Sequence, residues 1–125
     1  EQNRLELVLG YNNGADWVIH EHDTALSSDG STWYHISVSY GAESSYALRI
    51  RDMNGNVVGI DKTGQVTTDI PDFEFSVTTA PFAILCAFNE NSNPIYFYGG
   101  KFCEIAVLNK YLVAEEASAV ASRAW

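Results

Sequence analysis

Apolar and polar residues alternate along most of this chain, which is the pattern of strands that bury one face. In the segment Ser31–Gly41, apolar residues stand at even positions, whereas the odd positions hold mostly polar residues together with Trp33. Successive side chains of a strand point to opposite faces of its sheet. We therefore expect the even side to face a core and the odd side, with Ser37 and Ser39, to face solvent.

Nine short segments of strand character are separated by turn-forming residues: RLELVL, ADWVIH, residues 32–40, SYALRIR, NVVGI, FEFSV, PFAILCAF, IYFYGG and KFCEIAVLN. Between the fourth and fifth, Asn54-Gly55 supplies the positive φ angles of a tight hairpin. The stretch AEEASAVASRA is rich in alanine and begins with acidic residues, which favours a helix. We predict an all-β chain, an antiparallel β-sandwich with one short C-terminal helix, forming a single domain over residues 1–125.

Composition and charge narrow the functional classes. The chain of 125 residues is 46% hydrophobic and has a formal net charge of −9. Such an acidic surface repels phosphate groups and anionic lipid heads, so we expect no nucleic-acid partner. No apolar run approaches the ~20 residues that span a bilayer, so we expect no membrane insertion. The chain begins with Glu1 and has no leader, and we interpret it as part of a larger secreted or cell-surface protein.

The two cysteines, Cys86 and Cys103, both lie in apolar segments. Two buried free thiols and one disulfide are equally compatible with the sequence. We hypothesise that the two residues lie close together on neighbouring buried strands. A zinc site would need more nearby ligands than this pair offers.

Three stretches resemble the laminin G-like jelly rolls of the concanavalin A-like lectin and glucanase superfamily. They are TWYHISVSYG, YALRIRDMNGNVVG, and PFAILCAF followed by YGGKFCEIAVLNKYLVAEEA. The resemblance rests on their order and covers roughly the last three quarters of the chain. It implies a jelly-roll sandwich and a structural, rather than ligand-binding, role for Trp33 and His35.

The chain departs from this superfamily at four places. Cys103 stands at an acidic position of the terminal strand, and an extra residue near Asp52 requires a bulge or a shifted register. Val113 replaces the usual capping Ser or Thr, so the helix should fray at its start. The superfamily domain is usually longer at its beginning. Either this chain is a minimal version of the domain, or its first strands are missing and a sheet edge is left for a partner chain to cover.

The resemblance raises the question of catalysis, because the glucanases of the superfamily use Glu-x-Asp-x-x-Glu. In the segment EHDTAL, Glu21 and Asp23 fit this motif, but Leu26 replaces the second glutamate. Retaining hydrolysis needs a carboxylate pair about 5 Å apart, so we expect no enzyme. His20 and His22 share one strand face and could contribute to a metal site, but we favour plain surface residues.

Two loops carry the aromatic and amide groups that grip sugars. The candidate ligand-binding residues are Tyr11, Asn12, Asp16, Trp17, Asn89, Asn91, Asn93 and Tyr96. The alternative is that these residues form turns and cap the core. No cofactor is required, although calcium is a candidate because hard oxygen ligands are abundant.

The leading hypothesis is a non-catalytic, lectin-like module whose partner is a glycan or polysaccharide. The alternative is a structural or protein-interaction domain of a cell-surface or virion assembly. A degenerate hydrolase is the third and weakest hypothesis. An exposed aromatic rim favours the first, whereas an open strand edge or apolar patch favours the second.

Overall fold

The computed structural model of the chain describes residues 3–11, 16–41, 45–66, 87–88, 94–95, 101 and 105–123. Contacts divide the chain into two compact units, one of Glu1–Glu74 with Val107–Trp125 and one of Phe75–Ala106. Every strand pair within the described residues is antiparallel, and one short helix lies near the C-terminus. The predicted all-β class with a C-terminal helix is confirmed at this level.

The first unit opens with a hairpin of two strands, β1 (Arg4–Tyr11) and β2 (Asp16–Ala25). Their register shifts once, between Arg4 and Glu6. Leu7 is half-buried and packs against the core, whereas Val8 is 53% exposed on the other face. The inward alternation predicted for RLELVL is therefore correct at this position.

A three-stranded sheet follows, in the order β3 (His35–Tyr40), β4 (Ser45–Arg51) and β5 (Lys62–Gln65). Residues 46–51 of the central strand β4 are all buried, so both of its faces are covered. On one face, Tyr46 and Val66 form a core cluster to which Leu7 and Val18 of the hairpin add. Full burial of an aliphatic side chain such as Leu48, which has no exposed surface, contributes about 2 kcal/mol.

The expected orientation of β3 is wrong. Ile36 and Val38 are 44% and 53% exposed, whereas Ser37 and Ser39 are 8% and 4% exposed. The two sides alternate as predicted, but the serine side is the better covered one. The reason is that residues 111–123 lie over this side and form hydrogen bonds with Ser39, Arg49 and Arg51, although the hydroxyl of Ser37 has no hydrogen-bond partner among the described residues.

The turn after β4 is a three-residue loop, residues 53–55, and it contains the Asn54-Gly55 pair of the predicted tight hairpin. The Gly55 N–H donates to the Asp52 carbonyl (3.1 Å), the Asp52 N–H donates to the Asn56 carbonyl (3.0 Å), and Gly55 has φ of 82°. This arrangement is typical of a turn that closes on a left-handed residue. The Asp52 carboxylate accepts hydrogen bonds from the amides of Asn54 and Asn56. Hydrogen bonds from Asn56 therefore lower the pKa of Asp52.

The irregularity predicted near Asp52 lies later, in the returning chain. Arg51 bridges Val57, whereas Leu48 pairs with Lys62, so two extra residues separate these contacts on the returning side. The segment NVVGI consequently forms an isolated bridge instead of the predicted strand. This bulge directs the carboxylate of Asp61 back toward β4.

The helix α1 (Ala114–Ala121) follows Val113 and buries Ala117 and Ala121. Val113 offers no capping side chain, but Glu116 Oε2 accepts its N–H at 3.2 Å, which provides half of a capping box. Glu116 also pairs with Lys110. These contacts of Glu116 oppose the fraying that we predicted for the first turn of the helix. The fraying stays a prediction.

The second unit contains the short strands β6 (Ala87–Phe88) and β7 (Pro94–Ile95), which pair with each other. Residues 105–108 form no strand, so that part of the prediction for KFCEIAVLN is wrong. The segment FEFSV and both cysteines lie outside the described residues. The proximity of Cys86 and Cys103 stays a prediction that cross-linking would test, whereas thiol titration after denaturation would test only the disulfide. No helix within the described residues has the length and apolar character to cross a membrane.

Candidate functional site

Three of the predicted ligand-binding residues lie at the end of the β1–β2 hairpin. Tyr11 lies opposite Asp16 in the β1–β2 register, and Trp17 lies opposite Gly10. Trp17 is thus part of a strand, one residue from the hairpin end. The remaining predicted residues lie outside the described residues: Asn12, Asn89, Asn91, Asn93 and Tyr96. A shared rim formed by both loops stays a prediction.

A cleft of about 440 Å³ lies elsewhere in the first unit, between the end of β3 and the segment before α1. Its lining consists of Val38, Ser39, Tyr40, Gly41, Leu108, Asn109, Lys110 and Tyr111. Two tyrosines, an asparagine, a lysine and a serine are therefore among the residues that border one concavity. We call this feature the tyrosine cleft.

One wall of the tyrosine cleft is formed by residues 108–111. Hydrogen bonds from the polar side of the sheet hold this wall through the next residue, Leu112. Leu112 donates its N–H to Ser39 Oγ at 3.2 Å and accepts a hydrogen bond from Arg49 Nη1 at 2.7 Å. Both main-chain groups of this residue are thus paired with the sheet. Because Ser39 and Arg49 are buried, the segment is attached at a fixed position on the sheet.

The ring of Tyr111 is confined from two directions. The guanidinium of Arg49 lies 5.6 Å from the ring centroid, a distance suited to a cation–π contact. Gly41 lies so close that a Cβ atom there would stand 2.8 Å from Tyr111 Cδ2. The position of this cleft residue therefore depends on Arg49 and on the absence of a side chain at residue 41.

Arg49 belongs to a buried ionic cluster below the cleft wall, which we call the arginine pair. Arg51, with no exposed side-chain surface, donates two hydrogen bonds to Asp61, at 2.6 and 2.8 Å. Arg49 Nε lies 3.2 Å from Asp61 Oδ2. Hydrogen bonds from Arg51, opposed by burial, lower the pKa of Asp61. One carboxylate thus neutralises part of the charge of two buried guanidinium groups.

The exposed mouth of the cleft carries one cation. Lys110 is 59% exposed at its side chain and pairs with Glu116 of α1. The hydrogen bond from Lys110 is the main reason that the pKa of Glu116 is lowered. Since an exposed pair of this kind is weak, the ammonium stays accessible to a ligand oxygen.

Sequence reasoning missed the tyrosine cleft because its walls are far apart in the chain. The contact between Ser39 and Leu112 joins residues 73 positions apart. A weak signal existed, since each wall contains a tyrosine within a stretch that supports the family resemblance: Tyr40 in TWYHISVSYG and Tyr111 in the last one.

The surface assignment of His20 and His22 is wrong. His20 is 7% exposed and His22 is fully buried. His20 Nδ1 lies 2.9 Å from the Tyr46 hydroxyl, and the two rings stack with centroids 4.2 Å apart. His22 Nδ1 accepts the N–H of Thr24 at 3.2 Å. The pair therefore shares one strand face, as the sequence indicated, but packs the hairpin against the sheet.

The residues of the incomplete hydrolase motif lie on the opposite face of β2. Glu21 forms an ion pair with Arg4 at 2.6 Å, and Asp23 is exposed. Among the described residues, no group of three His, Cys, Asp or Glu could hold a metal ion. The calcium candidate stays a prediction.

No family model, curated protein or solved structure matches the chain.

Proposed function

We propose that the protein is a non-catalytic carbohydrate-binding module with a jelly-roll β-sandwich fold, and that the tyrosine cleft binds part of a glycan. The observation that carries the proposal is that Tyr40, Tyr111, Asn109 and Lys110 all line one cleft. Sugars offer apolar C–H faces to aromatic rings and hydroxyl groups to amide and ammonium groups.

The size and charge of the cleft support this class of ligand. A volume of about 440 Å³ lies within the range of pockets that hold small ligands. The net charge of −9 disfavours highly anionic polysaccharides, so a neutral glycan suits the molecule best. A module of this kind would act outside the cell, within a larger secreted or surface protein.

A glycan array followed by titration calorimetry tests the proposal. Asn109→Ala should weaken binding of the best glycan about fivefold, since it removes about one net hydrogen bond. Asn3→Ala, which changes an exposed asparagine outside the cleft lining, is the matched control and should bind like wild type. No glycan binding, or equal binding by both variants, would contradict the role of the cleft.

The predicted rim around Trp17 is tested separately. Stacking of one ring on a sugar face contributes about 1 kcal/mol, so Trp17→Ala should weaken binding several-fold with little change in Tm. If the variant is destabilised and its affinity per folded molecule is intact, Trp17 belongs to the core.

Release of reducing sugar from a β-glucan that is lost in Glu21→Gln would overturn the non-catalytic assignment.

A protein-interaction domain is the second candidate, and a specific observation favours it. Val8 and Ile19 lie opposite each other on the outer face of the hairpin and are 53% and 48% exposed. In addition, one edge of β3 is unpaired within the described residues. If this surface binds a partner chain, the sedimentation coefficient should change with protein concentration. Val8→Lys should abolish this change, whereas Asn109→Ala should retain it.

A further inference from the structure

We infer that Asn54 is a site of spontaneous covalent modification, deamidation, and that the turn and α1 control its rate. Asn54 is exposed and is followed by Gly55, which has no side chain to block approach to its amide nitrogen. Within the same loop, Asn56 is also exposed but is followed by the β-branched Val57. The loop therefore holds one susceptible asparagine, Asn54, and one protected asparagine, Asn56, whose side-chain amide also donates to Asp52 Oδ2 at 2.8 Å.

The chemistry needs only the chain and water. The amide nitrogen of Gly55 loses its proton and attacks Cγ of Asn54, and the side-chain nitrogen leaves as ammonia. The resulting five-membered imide is opened by water at either carbonyl carbon. One product is aspartate, and the other is isoaspartate, in which the main chain runs through the former side chain.

The fold restrains the first step. The N–H of Gly55 donates to the Asp52 carbonyl at 3.1 Å, so the nucleophile is engaged in the turn. Helix α1 lies directly over Gly55, because a Cβ atom built there would stand 2.5 Å from the Ser118 carbonyl oxygen. Attack therefore requires transient opening of the turn, and the reaction should be slower in the folded chain than in the unfolded chain.

The two products should affect the fold differently. Either one places a carboxylate near Asp52, whose own carboxylate accepts hydrogen bonds from the amides of residues 54 and 56. Isoaspartate also adds a methylene to the main chain of a turn that α1 covers. We therefore expect the isoaspartate form to loosen the attachment of α1, which Arg51 anchors through Ser118 Oγ at 2.9 Å.

Trypsin provides the assay, because cleavage after Arg51 and Lys62 releases residues 52–62 as one peptide. The protein is aged at mildly alkaline pH, folded or in urea, and this peptide is sequenced by mass spectrometry. We expect the mass gain of an amide-to-acid conversion at residue 54 but not at residue 56. It should accumulate several-fold faster in urea, and as two chromatographically distinct isomers.

Two variants complete the test. Asn54→Gln should stay unmodified, because closure would require a six-membered ring. Asn54→Asp introduces the charge without the methylene, so its Tm should stay closer to wild type than that of the isoaspartate form isolated by ion exchange. Equal modification at residues 54 and 56, or an unmodified folded protein after full conversion in urea, would overturn the inference.

Discussion

Removal of the Asp61 carboxylate should destabilise the protein strongly. In Asp61→Asn, Arg51 and Arg49 would keep their charges at side-chain exposures of 0% and 5% without a counter-charge. Breaking a buried ion pair by removing one partner costs about 3–5 kcal/mol. Asp61 is 20% exposed, and asparagine retains one acceptor oxygen, so we expect a loss near the lower bound, about 3 kcal/mol.

Urea denaturation followed by tryptophan fluorescence measures this loss. With a slope of about 2 kcal/mol per molar urea, the midpoint should fall by about 1.5 M, and Tm should fall by roughly 10 °C. Asp23→Asn, which makes the same charge change at an exposed position, is the control and should stay within about 0.5 kcal/mol of wild type. Equal midpoints for wild type and Asp61→Asn would refute the importance of the arginine pair.

The stabilisation that the Asp61 carboxylate provides should also decrease in acid. Hydrogen bonds from Arg51 lower the pKa of Asp61 in the folded state below 3.8. The stabilisation is therefore complete above pH 3.8 and is lost as the pH falls through the folded-state pKa. The difference between wild type and Asp61→Asn should be constant near neutral pH and shrink in acid. A difference that grows on acidification would contradict this sign.

Two further substitutions test close contacts. Gly59→Ala should destabilise the protein by about 2 kcal/mol or more. At this position a left-handed backbone is combined with a Cβ position 1.7 Å from Thr24 Oγ1, whereas Gly30 has a similar φ and open space around it. If Gly59→Ala and Gly30→Ala lower Tm equally in thermal melts, the clash is relieved. Tyr46→Phe removes the hydroxyl contact with His20 but keeps the ring. The free energy of unfolding from urea titration should therefore fall by about 1 kcal/mol. An unchanged midpoint would show that this contact is energetically neutral.

Local signals explain the elements that were predicted correctly. The alternation of RLELVL produced β1, and the alanines of the last segment produced α1. The bulge before β5 could not be derived in the same way. Its shape depends on Asp61 reaching the arginine pair and on Gly59 fitting against Thr24, and no local propensity encodes either contact.

In the candidate site, too, one part follows from the local sequence and another part only from the tertiary structure. The sequence indicated aromatic and amide groups near the ends of hairpins, and Tyr11 and Asp16 do lie opposite each other at one such end. The tyrosine cleft was not predicted. It forms because Ser39 and Arg49 bind the main chain of Leu112 and thereby bring residues 108–111 against the end of β3.

The sequence by itself determined the β class, the two-sided alternation of β3 and the C-terminal helix, because these depend on neighbouring residues. The tertiary structure alone decided which side of β3 is covered. Ser37 and Ser39 are buried although the opposite side is more apolar. The segment that covers this side binds Ser39, Arg49 and Arg51 through hydrogen bonds that span more than sixty residues of chain. Once its polar groups are paired, a polar face can be buried at little cost, and an alternating pattern does not reveal where those partners will come from.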